Sequence, residues 1–226
     1  MKRWLYRMQY KYGRYGIENL MLYITITMLA VFLAQMLLQI AIIDFLSFNS
    51  AYILQGQVWR VITFIFVPVV GTHPIFILLM LYVYYFLGNS LEGEWGKFSF
   101  TLYYLIGIIC AVIGGFIVGT TSNQYLNLSL LLAFAQLFPN MEFRLFFLIP
   151  VKVKYIGYVM WILYALALVY ALVNLDLPLL AALLAALLNF FLFFGQDIIG
   201  RFSNWMKYRG RRRQFRQNKR RYPNQW

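Results

Sequence analysis

The chain has 226 residues, of which 62% are hydrophobic and only 12% charged, where a soluble domain averages roughly 25% charged. That composition cannot furnish a water-facing surface, so it excludes a soluble globular domain and suits a chain whose middle faces lipid. The net charge of +13 is concentrated at the two ends, so it reads as orienting flanks on anionic lipid headgroups, and nucleic acid is not an expected partner.

Residues 1–16 carry Lys2, Arg3, Arg7, Lys11 and Arg14 among aromatics, the pattern of a short interfacial helix on a basic cytoplasmic arm. Leu20–Ile43 is long enough to span a bilayer, which takes about 20 residues. It follows a long basic segment and exceeds a signal-peptide core in length, so it is expected to stay as the first helix. Asp44–Arg60 mixes Ser, Asn, Gln and Gly and predicts a loop, and Val61–Val70 is apolar but short. Pro74–Leu87 and Phe98–Gly119 follow as apolar runs. Leu126–Phe138 is too short to cross lipid alone at about 1.5 Å per residue. Lys154–Val173 and Leu179–Gly195 both span. Their tight connection, Asn174–Leu177, makes them antiparallel neighbours. A basic tail, 201–226, closes the chain. Gly71 with Pro74, Pro139, Pro150 and Pro178 mark the joints. The single cysteine, Cys110, sits in an apolar run and cannot form an internal disulfide.

Charge placement gives the number of crossings. With the N-terminus inside and six crossings, the inner side receives the five basic residues of the arm, Lys97, then Arg144, Lys152 and Lys154, then ten from the tail. That is 19 of the 20 Lys and Arg residues; only Arg60 falls outside, with Asp44 and Asp176. Such bias is the positive-inside rule, and five crossings would put one basic end outside. The short segment is therefore expected to cross, which it can do only when other helices wall it in. A cavity is expected on the outer side, above Leu126. The fold class predicted is all-α: a polytopic six-helix membrane bundle with both termini cytoplasmic.

Three segments resemble motifs of the rhomboid family. Gly56-Gln57-Val58-Trp59-Arg60, followed by Val61-Ile62-Thr63-Phe64, is similar to its loop-to-helix motif. Leu87-Gly88-Asn89-Ser90-Leu91-Glu92, ending at Trp95-Gly96, resembles its motif at the inner end of the second helix. Leu137-Phe138-Pro139-Asn140, with Phe146 to Lys154, is similar to the turn after the fourth helix in many bacterial rhomboids. Order and spacing agree from about Leu20 to Gly195. The resemblance implies a rhomboid-like membrane domain over 17–200 in a bacterial plasma membrane. It makes Trp59, Arg60, Gly88, Glu92 and Gly96 structural motif residues, with Arg60 in a structural loop.

The resemblance also implies an intramembrane serine protease. The family's serine lies in a Gly-x-Ser-Gly turn at the outer end of a short fourth helix. A histidine on the sixth helix is its base, and a His and an Asn on the second hold the oxyanion. Here the serine position matches Ser129, but Asn127 and Leu130 replace the glycines, and Leu130 is expected to crowd the approach. The base position falls on Leu188, or on Asn189 if the register slips by one; neither takes a proton. The oxyanion positions fall on Phe76 and Met80, which donate nothing useful. The sixth helix keeps half of the family's small-residue pair, as Phe191 and Gly195.

His73 is the only histidine. It lies near the outer end of the second helix, on the side of Ser129, so a non-standard Ser129–His73 pair is conceivable; a loop histidine at the interface is the preferred reading. Asn189 is costly in lipid and is expected to face protein through an interhelical hydrogen bond to the fourth helix. Glu92 is expected to cap backbone groups or pair with Lys97. Tyr103, Tyr104 and Trp161 read as packing or interfacial residues, and Ala181, Ala182, Ala185 and Ala186 as small residues for close helix approach. No metal-ligand, phosphate-loop or dinucleotide motif is present, and no metal or cofactor is expected. The function expected is that of a pseudoprotease, binding transmembrane segments of client proteins without cleaving them through Phe76, Met80, Asn127, Ser129 and Asn189. The alternative is a serine endopeptidase with a non-standard site on Ser129. A transporter ranks last, since no buried charge pair or matched broken helices are visible.

Overall fold

Apolar runs bounded by Gly, Pro and Asn become the helices of an all-α membrane bundle. The computed structural model describes residues 3–38, 41–68, 73–145 and 149–195; the basic tail and the joint at Gly71 lie outside them. The basic arm forms α1 (Arg3–Tyr12), extended by a 3-10 turn over Gly13–Tyr15. Among the described residues five helices are long and apolar enough to cross a membrane: α2 (Leu20–Leu38), α6 (Pro74–Trp95), α7 (Lys97–Val118), α9 (Val153–Val173) and α10 (Leu177–Gly195). Between α7 and α9 lies the shorter α8 (Gln124–Leu137).

Several boundaries differ from the sequence reading. The first span ends at Leu38, not Ile43. Ile43 instead begins to fold back, its N–H donating to Gln35 Oε1, within a separate short helix, α3 (Ile42–Leu46). The predicted loop after it is built of short pieces: β1 (Phe48–Asn49), α4 (Ser50–Leu54), α5 (Arg60–Thr63) and a 3-10 turn over Phe64–Phe66. Asn49 supplies the cap that starts α4, accepting from the backbone N–H of Ala51 and Tyr52; this is the usual role of Asn at that position. The second span runs on past Leu87 to Trp95. After α8 the chain makes an antiparallel hairpin of β3 (Glu142–Leu145) and β4 (Ile149–Lys152), where the sequence suggested only a turn.

Each end of the bundle is tied by polar contacts. At one end Glu92 Oε1 accepts from the Asn19 N–H, just before α2. Lys97 pairs with Glu18 rather than with Glu92. Lys97 holds the exposed Glu18 carboxyl below the ordinary carboxylate range by hydrogen bond and charge. The pair's small contribution is therefore present at neutral pH and is lost as acid protonates Glu18. Gly96 turns the chain from α6 into α7 at φ 81, a left-handed backbone value that favours glycine. At the other end β1 pairs with a two-residue strand, β2 (Thr120–Thr121). Asn123 Nδ2 donates to the carbonyls of Ile65 and Val67, both at 2.8 Å. The α9–α10 connection turns through Leu175 at φ 52, and Asp176 caps α10 by accepting from the Leu179 N–H. The Tyr164 hydroxyl donates to the Leu183 carbonyl, which makes α9 and α10 the expected antiparallel neighbours.

Helix association within lipid depends on packing rather than on expelling water, and small residues permit it. The tightest seam joins α2 to α6, where Met21 lies on Gly88. A Cβ added at Gly88 would stand 2.4 Å from both Cβ and Cγ of Met21, whereas one added at Gly93 would meet nothing within 4 Å. Gly88→Ala is therefore expected to destabilise the protein by about 1–3 kcal/mol, the usual range for overpacking. Gly93→Ala is expected to be neutral or slightly stabilising through helix propensity. Thermal unfolding of the two variants in detergent checks the contrast.

Candidate functional site

The most buried helix is the short one. Within α8, Ser129, Leu130, Ala133 and Phe134 have no exposed surface, and Leu126, Asn127 and Leu132 have almost none. Their polar groups must therefore find partners inside the protein.

Ser129 sits where three helices meet. Its Oγ donates to the Leu126 carbonyl one turn back, at 2.7 Å. The same Oγ accepts from Asn189 Nδ2 of α10, at 3.3 Å. The Tyr103 hydroxyl of α7 donates to the Ser129 carbonyl, at 3.0 Å. One turn further along α7, Gly107 gives Asn189 its space: a Cβ there would lie 2.8 Å from Asn189 Nδ2. Asn189 is 1% exposed. With Nδ2 committed to Ser129, its Oδ1 accepts no hydrogen bond among the described residues. Of the two positions considered for the base, Asn189 is thus the one that faces the serine, and Leu188 is exposed on the outside of the bundle.

A narrow cleft of about 10 Å³ lies beside this network, lined by Ser129 and Asn189 with Gly107, Ala111, Gly114 and Leu126 among others; that is room for roughly one water. It reaches Thr120, Thr121 and Ser122 at the start of α8. There it adjoins a second pocket of about 230 Å³ under the α3–α5 loop, which shares Thr121 and Ser122. Space therefore opens on the side of Leu126 where the short helix begins. Leu130 does not line the cleft; it is fully buried in the core.

The remaining candidates are placed as follows. His73 caps α6, its Nδ1 accepting from the Ile75 N–H at 3.4 Å, while the Ser129 hydroxyl is engaged elsewhere, so the Ser129–His73 pair is not formed. Phe76 and Met80 are 57% and 39% exposed, and neither lines the cleft. Asn127 lies near the Tyr84 hydroxyl. Neither atom of the Asn127 amide completes a hydrogen bond of good geometry. Phe191 is partly exposed.

Arg60, with Trp59, organises the loop between α2 and α6. It is 5% exposed. Its Nη1 donates to the carbonyls of Asp44 and Ser47, and its Nε to Gln57 Oε1. The guanidinium also lies over the rings of Phe45 and Tyr52, and the Trp59 indole donates to the Phe45 carbonyl. A delocalised cation with five donors suits such a crowded, partly desolvated position. Among the described residues no group of three or more His, Cys, Asp or Glu side chains converges on one point.

Sequence reasoning missed Tyr103 and Gly107 as parts of the serine's surroundings. Both lie in an unbroken apolar run, and only their four-residue spacing puts them on one face of α7. Chemically, the Ser129 hydroxyl has an amide donor and a carbonyl acceptor and no base. An amide takes no proton near neutral pH, so the hydroxyl stays a neutral helix-to-helix link. A double-mutant cycle between Ser129→Ala and Asn189→Leu, read by unfolding in detergent or bicelles, should give a coupling of about 0.6 kcal/mol and at most about 1.7, as for buried polar pairs in membranes.

No family model, no curated protein and no solved structure matches the chain.

Proposed function

We propose that the chain is a rhomboid-like pseudoprotease of a bacterial plasma membrane, which binds transmembrane segments of client proteins without cutting them. The observation that carries this reading is the state of Ser129. The position that would hold a nucleophile is fully buried, donates its proton to the Leu126 carbonyl and faces an asparagine instead of a base. What such a site retains is polar recognition at membrane depth, close to a cleft and beside small residues.

The six-crossing topology belongs to the same reading. Glu92 with Asn19, and Lys97 with Glu18, draw the start of α2, the end of α6 and the start of α7 to one end. The pairing of β1 with β2 draws the segment after α2 and the segment after α7 to the other end. The cleft holds Thr120, Leu126 and Pro178 together, so α8 and α10 begin where α7 finishes. In this arrangement α8 runs back across the bundle, and the inner side gathers 19 of the 20 basic residues. Anionic headgroups at the basic termini follow from it.

Two measurements test the proposal. After replacing Cys110, single cysteines at Arg14 and Lys154 should react with an impermeant thiol reagent only from the cytoplasmic side, and one at Leu54 only from outside. Labelling of Arg14 and Leu54 positions from the same side would overturn the topology. In proteoliposomes a reporter with one transmembrane helix should stay intact yet co-purify with the chain after mild solubilisation, equally for the parent and Ser129→Ala. Cleavage that vanishes in Ser129→Ala would establish the serine endopeptidase instead, and no retention would remove the client-binding reading.

A further inference from the structure

The first acidic residue of the chain is Glu18, and it is taken by Lys97. Before it come five cations, of which Lys11 and Arg14 are exposed. Among the described residues neither of these two is paired with a carboxylate. Lys11 Nζ lies over the Tyr12 ring, 5.3 Å from its centroid, a contact that positions the ammonium without satisfying its donors. Helical spacing sets the direction of the charge. Gln9 of α1 lies against the turn between α6 and α7: a Cβ added at Gly96 would stand 2.8 Å from Gln9 Nε2. Positions 7 and 11 are each two residues from Gln9, about 200° around the axis, so α1 turns a cationic stripe away from the bundle. Arg14 follows one short turn after Lys11. Tyr10 and Tyr15 flank the stripe, 96% and 77% exposed.

We propose that α1 and the 3-10 turn after it form a fixed docking face for anionic phospholipid headgroups, with Lys11 and Arg14 on the phosphates. The inference deepens the reading of anionic headgroups at the basic termini by naming the site, and it rests on that reading for the choice of leaflet. Height points to headgroups. α6 and α7 are each long enough to cross a membrane, so the turn at Gly96 between them stands at a membrane surface. The chain after α1 is fastened to that turn. The Ile17 N–H donates to Thr101 Oγ1 at 3.1 Å, and a Cβ added at Gly16 would lie 2.4 Å from the Phe98 N. α1 is therefore held at the level of the surface. Chemistry points the same way. Like charges four residues apart on a helix repel, and a layer of phosphates removes that repulsion. Tyrosines beside exposed cations suit the interface, where the rings meet the acyl boundary and the hydroxyls and cations meet headgroups. Ile17, 47% exposed and bonded one turn into α7, then meets an acyl chain, which a soluble polyanion does not offer.

Gly13 sits between Lys11 and Arg14, and a Cβ there would meet only Gln9 Cγ, at 3.9 Å, so a cysteine fits. The experiment uses the full chain with Cys110→Ala and a fluorophore on Gly13→Cys, in phosphatidylcholine vesicles. Trace phosphatidylglycerol carrying a nitroxide high on its acyl chain should quench the probe more strongly than the same nitroxide on phosphatidylcholine, by about fivefold in lipid fraction for each contacting cation. Lys11→Gln and Arg14→Gln, both at exposed positions, should each reduce that preference about fivefold, and added salt should shrink it. Replacing the basic residues of the tail by glutamine should leave it unchanged. Equal quenching by the two lipids, or a preference that persists in the Lys11→Gln, Arg14→Gln double variant, would overturn the inference. So would a preference that disappears with the tail cations, or displacement of the nitroxide lipid by added RNA, which would make nucleic acid the occupant. Each of these failures leaves client retention and the thiol-labelled topology standing, since neither reads lipid preference. Labelling of the Arg14 and Leu54 positions from the same side would instead remove the inner-leaflet assignment, while the quenching would still decide the lipid contact.

Discussion

In the six-crossing arrangement proposed above, α8 crosses with 14 residues, which rise about 21 Å, well short of the roughly 30 Å hydrocarbon core of a bilayer. Inside that core no water meets a free N–H or carbonyl, so a short helix must be walled by protein at every level. Much of the architecture answers that constraint on α8. The longer helices overhang it, its central residues lose all exposure, and a folded segment of short helices and strands closes over its start. The Asn123 amide joins the two, taking the carbonyls that the 3-10 turn leaves free.

The same constraint decides what polar groups on α8 can do. Each hydroxyl or amide buried beside it has a fixed number of bonds to make, and the bonds already made limit the chemistry left. Ser129 has spent its proton on its own helix and one lone pair on Asn189. Activating it would require breaking a short-range bond within α8 and supplying a base from outside the network. His73 is bound at the start of α6 as a cap. Among the described residues the leftover capacity includes Asn189 Oδ1, the Asn127 amide and the Tyr104 hydroxyl, none of which is a base for Ser129. Binding without cleavage is therefore the use that this pattern of satisfied and unsatisfied groups favours.

The helices were legible in the sequence because their signal is apolar length, and the joints because Gly, Pro and Asn mark them. The loop after α2 was not. Its short helices are too brief to show periodicity, and they are held by Arg60, whose carbonyl partners at Asp44 and Ser47 carry no side-chain signature. The α2 boundary moved for a similar reason: Ile43 is apolar whether it continues a span or turns back onto Gln35. Within the site, Ser129 and Asn189 stood out as polar residues at depth, and a single-residue ambiguity separated Leu188 from Asn189. Helical geometry resolves it, since adjacent residues differ by about 100° around the axis and only one can face α8. Tyr103 and Gly107 stayed hidden because an aromatic and a glycine in an apolar run look like ordinary packing. The β3–β4 hairpin was missed because Pro150 argues against a strand except where its missing N–H is not needed.

The strength of the contacts around α8 is uneven, and the unevenness has a direction. On the loop side, a buried guanidinium, an asparagine amide and a strand pair hold the closure. On the α2–α6 side, Met21 fits against Gly88 with no slack. Between α9 and α10 a tyrosine hydroxyl is bonded across. At the α7–α10 seam a Cβ added to Gly114 would meet nothing closer than the Ala181 carbonyl oxygen at 3.8 Å, and dispersion between so few atoms is weak. Separating two helices at such a seam costs less than breaking hydrogen bonds that lipid cannot replace.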